Sequence, residues 1–331
     1  MRLLFLPLAM LFFLKISAQD NTEFKPSGKT FGTVFTNFSG ILSEGDHASS
    51  FEITRAYLGH KYQMDENFSA TVKLDIGSIN DESQYALIRR YSYFKNAFLD
   101  YKKNKLCMQF GLIDLYQFKT TEEFWSHRYV YKTFQDQHKM GSSADLGVGV
   151  KYNFTEKISA DGSFFNGEGY KDLQADNTYE GAVGVTIKPI KGLTIRGYGD
   201  LAIKNVSKYT LVGFAGYKFK EKATAGIEYS YQSHNKFNEN NNYGGVSAFL
   251  MANVYKKWEV FGRYDMISSN KVFETDFNPW NYSKDGQLII GGVQYAPREY
   301  VRFSANITHN LPDNPDNDKI TAINIDLEFK F

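Results

Sequence analysis

The chain closes with Ile323, Asn324, Ile325, Asp326, Leu327, Glu328, Phe329, Lys330 and Phe331, a run in which every second residue is apolar and its neighbours are polar or charged. A β-strand points successive side chains to opposite faces, so this segment carries one apolar face and one face with two acids and a base. The same alternation recurs upstream. Phe68, Ala70, Val72, Leu74 and Ile76 oppose Ser69, Thr71, Lys73 and Asp75. Leu193, Ile195 and Leu201 oppose Thr194, Arg196, Tyr198 and Asp200, and Val301, Phe303, Ala305 and Ile307 oppose Arg302, Ser304, Asn306 and Thr308. Read along the whole chain, the pattern predicts strands near 29–39, 50–63, 67–79, 93–102, 105–114, 144–154, 157–166, 178–190, 192–203, 208–219, 222–234, 242–255, 257–269, 285–296, 299–309 and 318–331. The strands near 29–39, 208–219 and 242–255 have mixed patterns that leave their faces unassigned.

The connections fall into two alternating classes. Asp65-Glu66, Lys103-Asn104, Thr155-Glu156, Lys191, Glu221, Lys256 and Pro297-Arg298 mark tight turns, whereas 40–49, 80–92, 115–143, 167–177, 204–207, 235–241, 270–284 and 310–317 are longer and polar. Short turns at one end and long loops at the other are the asymmetry of an outer-membrane barrel, and a Greek-key sandwich has no reason to alternate in this way. About sixteen strands also enclose too wide a space for side chains to fill, which turns the apolar faces towards lipid. The fold expected is therefore all-β: a transmembrane, antiparallel, up-and-down β-barrel of about sixteen strands. Phe68, Tyr101, Tyr152, Phe154, Trp258, Tyr295 and Phe331 cluster near the short turns or the carboxyl terminus and would form an interfacial girdle.

Composition fits this reading. Aromatic residues make up 16% of the chain, with 23 Tyr and 28 Phe against 7 Pro, and after the first segment no apolar run approaches the length of a membrane helix. Arg2, the apolar stretch Leu3 to Leu14, Lys15 and the small pair Ser17-Ala18 predict a signal peptide over 1–18, leaving 19–331 as the barrel domain. Losing Arg2 and Lys15 takes the formal charge from +1 to −1, which gives no global attraction to nucleic acid. Cys107 is the single cysteine and permits no internal disulfide.

If the polar faces line a lumen, the lining candidates are Lys73, Asp75, Lys151, Arg196, Asp200, Glu228, Arg263, Arg302, Asp326 and Glu328. Each is expected to belong to a solvated wall of mixed sign. The segment 115–143 is too rich in aromatics to dangle in water, carrying Phe124, Trp125, Tyr129, Tyr131 and Phe134. It is expected to fold inward and narrow the lumen, presenting Lys119, Glu122, Arg128 and Lys132. The six histidines show no metal-ligand spacing, and no cofactor is implied.

Three stretches resemble the phosphate-selective porin O and P family. Phe51-Glu52-Ile53-Thr54-Arg55-Ala56-Tyr57-Leu58-Gly59 with Asn67-Phe68-Ser69-Ala70 is similar to its early hairpin. Ala97-Phe98-Leu99-Asp100-Tyr101 with Gln109-Phe110-Gly111, and Asp145-Leu146-Gly147-Val148 with Phe164-Phe165-Asn166-Gly167-Glu168-Gly169-Tyr170, resemble later segments. The resemblance implies an outer-membrane porin, often trimeric, with its third external loop in the lumen. It also implies insertion by the barrel-assembly machinery, which reads a terminal aromatic strand such as the one ending in Phe331. Thr54 and Tyr57 stand where that family has arginine, and no ladder of bases is evident, so phosphate selectivity does not carry over.

The function expected is a water-filled channel for passive diffusion of small hydrophilic solutes or ions across the bacterial outer membrane, without enzymatic activity. The alternatives are a plugged barrel serving as a surface adhesin, with Phe273, Phe277, Trp280 and Tyr282 as contact residues, and, ranked lower, an outer-membrane hydrolase.

Overall fold

The computed structural model describes residues 24–43, 47–76, 92–271 and 278–331; the expected signal peptide, most of the 80–92 connection, and Phe273 and Phe277 lie outside them. Sixteen strands run in chain order: β1 (Ser27–Leu42), β2 (His47–Gln63), β3 (Phe68–Ile76), β4 (Ser92–Lys103), β5 (Leu106–Asp114), β6 (Ala144–Asn153), β7 (Ile158–Phe165) and β8 (Glu180–Ile187). They continue as β9 (Leu193–Ala202), β10 (Lys208–Phe219), β11 (Ala223–Ser233), β12 (Tyr243–Tyr255), β13 (Trp258–Ser269), β14 (Gly286–Arg298), β15 (Val301–Pro312) and β16 (Ile320–Lys330). Each pairs antiparallel with its sequence neighbours, and β1 closes on β16 from Thr33↔Lys330 to Leu42↔Thr321. Closure leaves no free sheet edge, so the strands satisfy one another's backbone groups in a medium that offers none.

All sixteen strands expected from the alternation are present, displaced at their ends by a few residues. The turn end is tight: Asp65 accepts the backbone N–H groups of Asn67 and Phe68 at 2.7 Å, and Asn104 and Lys256 adopt left-handed backbone to reverse the chain. Phe331 extends the last strand by exchanging backbone hydrogen bonds with Gly32, at 2.9 and 3.1 Å, and its ring occupies the space a Cβ on Gly32 would need.

The two faces separate as expected. Ile195, Leu201, Ile307, Ile323 and Ile325 stand exposed on the outside, while Arg196, Asp200, Asn306 and Asp326 are buried on the inside. At the turn end outward rings meet, Phe68 with Tyr101 at 4.9 Å and Trp258 with Tyr295 at 4.8 Å across strands, and Tyr152 with Phe154 at 5.0 Å along the end of β6. These are the rings assigned to the girdle.

The register shifts at four places among the described residues, two of them near the turn end at Asn253/Tyr255 and Tyr295/Arg298, and two of them bulges within the strands. Thr54 is an extra residue opposite Phe35 and Thr36, and Lys95 is an extra residue opposite Lys73 and Leu74. The second turns both Lys95 and Asn96 inward, where they are buried. Inner apolar side chains form three clusters rather than a single core. The largest joins Phe124 and Trp125 to Phe214, Phe249, Met251, Phe261 and Ile290.

Candidate functional site in the barrel lumen

The segment 115–143 leaves β5, forms α1 (Lys119–Trp125) and α2 (Phe134–Gln137), and returns to β6. Its apolar side chains lie on the inner wall. Phe124 meets Phe214 at 5.2 Å over Gly216, whose missing side chain leaves room for the ring. Trp125 is fully buried, 5.5 Å from Phe249 and 6.1 Å from Phe261, and its indole N–H donates to the Tyr131 carbonyl at 2.9 Å. Phe134 packs over Gly245 with Met140, Tyr243 and Ile267. This explains the mixed patterns of β10 and β12: their outer faces meet lipid, and their inner faces meet the segment, so both are apolar.

Polar contacts fix the register of this docking. Thr121 Oγ1 and Gln135 Nε2 both donate to Glu228 Oε2, at 2.5 and 2.9 Å. Arg263 Nη1 donates to the Lys132 carbonyl at 2.5 Å and Arg302 Nη1 to the Ser126 carbonyl at 3.1 Å. Tyr129 Oη donates to Gln294 Oε1 at 2.8 Å. A buried carboxylate such as Glu228 is tolerated only because donors surround it.

All ten expected lining residues point inward, but most are not part of a solvated wall. Glu228 and Arg263 lie beneath the segment, Arg263 in a two-point ion pair with Asp265 at 2.6 and 2.8 Å. Arg196 is held by Asp161 at 2.6 and 2.8 Å, and Asp200 accepts the Thr210 N–H. Asp75, Asp326 and Glu328 are buried as well, bound to Arg55, Asn306 and Arg302 respectively. Lys73, Lys151 and Arg302 keep partial exposure. The correction has a physical cause: cross-strand neighbours of opposite sign pair in a confined space, and the inner segment covers what remains.

The other side of the segment faces β2 to β5 across open space. Arg128 contacts Asp136 at 2.8 Å and Glu122 at 3.5 Å, Lys132 lies 4.0 Å from Asp136, and Lys119 lies 3.8 Å from Asp114. On the facing wall Arg55 Nη1 donates to Tyr57 Oη at 3.0 Å and to Asp75 Oδ2 at 3.1 Å, and Lys73 lies 3.8 Å from Asp114. Lys95 bonds Ser143 and sits 4.2 Å from the Tyr170 ring, and Lys171 sits 5.0 Å from the Tyr93 ring. With the cavity lining included, eight bases meet seven acids: Arg55, Lys73, Lys95, Lys119, Arg128, Lys132, Lys139 and Lys171 against Asp75, Asp114, Glu122, Asp136, Glu168, Asp172 and Asp326.

Burial lowers the Lys132 ammonium below its ordinary value, and it raises the Glu122 carboxyl in spite of Arg128. Asp136 moves the other way, because Arg128, Lys132, Arg55 and Lys95 together outweigh its burial. Of the expected set at this place, the structure brings together Lys73, Asp75, Lys119, Glu122, Arg128 and Lys132. Sequence reasoning missed Lys95, and it treated Arg55 and Tyr170 only as parts of motifs. The bulges that aim Arg55 and Lys95 leave no mark in the hydrophobic pattern.

Cavities flank this charged gap. One of about 710 Å³ lies beside Arg55, Arg128, Lys132 and Tyr170 and shares lining with a cavity of about 1040 Å³ at the loop end. A third of about 930 Å³ opens at the turn end beside Lys119, Lys151 and Arg196. The side chains of Lys73, Asp114 and Glu122 keep partial exposure.

No family model matches the chain, and no curated protein is similar to it. Solved structures with the same fold include OmpF of Salmonella typhi in complex with daunomycin, at a TM-score of 0.67 and 10% identity over 92% of this chain and 97% of that one. The anion-selective porin of Comamonas acidovorans aligns at a TM-score of 0.66 and 11% identity over 93% and 100%. The outer-membrane channel DcaP of Acinetobacter baumannii aligns at 0.64 and 11% over 96% and 100%. The chain has the closed sixteen-strand fold of outer-membrane porins.

Proposed function

We propose that this chain is an outer-membrane porin through which small hydrophilic solutes and ions diffuse passively, with a preference for anions set where segment 115–143 faces β2 to β5. The observation that carries this reading is the lumen of the closed barrel, with cavities at the loop end and the turn end and with eight bases against seven acids where segment 115–143 faces β2 to β5. The barrel wall keeps solutes out of hydrocarbon, and the inner segment sets size exclusion and charge bias. No energy source or cofactor enters this mechanism. Export through 1–18, insertion by the barrel-assembly machinery through the strand ending in Phe331, and assembly as a homotrimer accompany it. The likeness of the early hairpin to the phosphate-selective porins extends to architecture and not to solute, since Thr54 and Tyr57 replace its arginines. Purified protein in planar bilayers should give stepwise ohmic conductance with a reversal potential of anionic sign under a salt gradient; absence of steps at any voltage would sink the proposal.

The depth of the segment's burial favours one other reading, a sealed barrel presenting surface loops, which would admit no sugar into proteoliposomes. A hydrolase is disfavoured by the geometry of Ser126, His127 and Glu259. Ser126 Oγ lies 3.4 Å from His127 Nδ1 and Glu259 Oε1 3.1 Å from His127 Nε2, but Nδ1 is 2.9 Å from the Trp125 carbonyl. That carbonyl takes the Nδ1 proton, so the ring has no lone pair to offer Ser126.

A further inference from the structure

The connection 166–179 between β7 and β8 also enters the lumen. Its backbone rises from the wall and is pinned there by Asp145 of β6, whose Oδ2 accepts the N–H groups of Gly167 and Gly169 at 2.9 Å each. Gly167 and Gly169 have φ of 106° and 86°, values that L side chains rarely adopt, so the tight path over Asp145 depends on glycine. Beyond this clamp Tyr170 reaches across the barrel to β3. Its hydroxyl donates to Asp75 Oδ2 at 2.8 Å, its ring lies 5.7 Å from Tyr93, and Lys95 sits 4.2 Å from the ring centre. β7 and β3 are separated around the wall by β4, β5 and β6, so the side chain spans a chord of the mouth and does not follow the wall. The same cavity that touches Arg55, Arg128 and Lys132 is lined by Glu168, Gly169, Tyr170, Lys171 and Asp172.

We propose that Tyr170 is a specificity-determining residue of the channel, and that the β7–β8 connection narrows the lumen on the side opposite segment 115–143. This rests on the porin reading above. The ring fills part of the passage between Asp75, Tyr93 and Lys95. The hydroxyl shares Asp75 Oδ2 with Arg55 Nη1, which keeps that carboxylate turned towards the arginine and mutes its charge in the passage. Steric and electrostatic roles are thereby assigned to different parts of one side chain.

Three proteins reconstituted in planar bilayers and in sugar-permeable proteoliposomes separate these roles: wild type, Tyr170→Ala and Tyr170→Phe, each checked for folding by heat-modifiable gel mobility. Tyr170→Ala should raise single-channel conductance about 1.3-fold or more, and should speed entry of a trisaccharide more than that of a pentose. Tyr170→Phe keeps the ring and should leave conductance and the sugar ratio at wild-type values while changing the anion-to-cation permeability ratio. The proposal is overturned if folded Tyr170→Ala matches wild type in both conductance and sugar ratio, or if Tyr170→Phe reproduces the alanine phenotype in full. If alanine fails the gel test, Tyr170→Ser and Tyr170→Leu in the same assays decide, with rates expected to order by side-chain volume and a flat order refuting the role. A wild-type protein that gives no conductance steps refutes the channel reading itself, a result distinct from any difference among the variants.

Discussion

Reversing the sign of the inner segment tests the electrostatic argument most directly. In Arg128→Glu/Lys132→Glu the facing groups change from eight bases and seven acids to six bases and nine acids, that is from a net +1 to a net −3. For an ion passing roughly 7 Å from these groups in water, each net unit charge is worth about 0.6 kcal/mol before screening. At 0.1 M salt, with a Debye length of about 10 Å, roughly half survives, about 0.3 kcal/mol per unit. An anion is then favoured by about 0.3 kcal/mol and a cation disfavoured by the same amount, so the wild-type anion-to-cation ratio should be about three. At 1 M salt the Debye length falls to about 3 Å and the ratio should collapse to about one. In the double variant the preference should invert, to roughly ten- to twentyfold for cations at low salt. Reversal potentials across asymmetric KCl at both ionic strengths measure all of this. A double variant that remains anion-selective would refute the placement of Arg128 and Lys132 in the ion path. A wild-type ratio independent of salt would refute the argument from diffuse charge.

Other expectations follow from the same contacts. Trp125→Ala empties a site between Phe249, Phe261 and Arg263 and should cost roughly 3–5 kcal/mol of docking energy, seen as flickering single-channel current and new proteolytic cleavage within 115–143; steady current would count against docking by this side chain. His138, in α2's C-terminal turn, has its pKa pushed down to about 4 by burial, with Arg263 and Lys284 adding to the effect against Asp265. The docked segment therefore binds fewer protons than the released one. Its docking is fully favoured above the free imidazole pKa near 6.5 and weakens as pH falls from there towards 4, by roughly 1–2 kcal/mol once partial exposure is discounted. Current noise should rise over that interval and should not do so in His138→Gln. On the outer face, Ile325→Lys places a charge in hydrocarbon at a cost of roughly 2–4 kcal/mol, whereas Asn324→Lys, one residue away, faces the lumen. Heat-modifiable mobility should fall for the first and persist for the second; equal behaviour would contradict the assigned faces.

Strand number, order and most boundaries were legible in the sequence because the period of two is imposed twice, by lipid outside and by polar groups within. The turn-and-loop asymmetry added orientation. Where the inner segment covers the wall the second constraint disappears, and Phe214 and Phe249 then blur the pattern of β10 and β12. The aromatic density of 115–143 carried the inward expectation, since those rings needed a surface. Their partners come from strands about 90 to 170 residues later, and no local pattern specifies such distances.

What the sequence by itself determined is thus the barrel: alternation over sixteen segments, short turns against long loops, and a terminal aromatic strand allow little else. What only the tertiary structure decided is which charges meet water and which meet each other. Asp75, Arg196, Glu228 and Arg263 looked like lining residues and are buried partners, while Lys95 and Tyr170 reach the open gap through a bulge and a crossing loop. Facing is a local property set by the strand's period. Pairing depends on register, bulges and loops that return from far along the chain, and those are fixed only when the barrel closes.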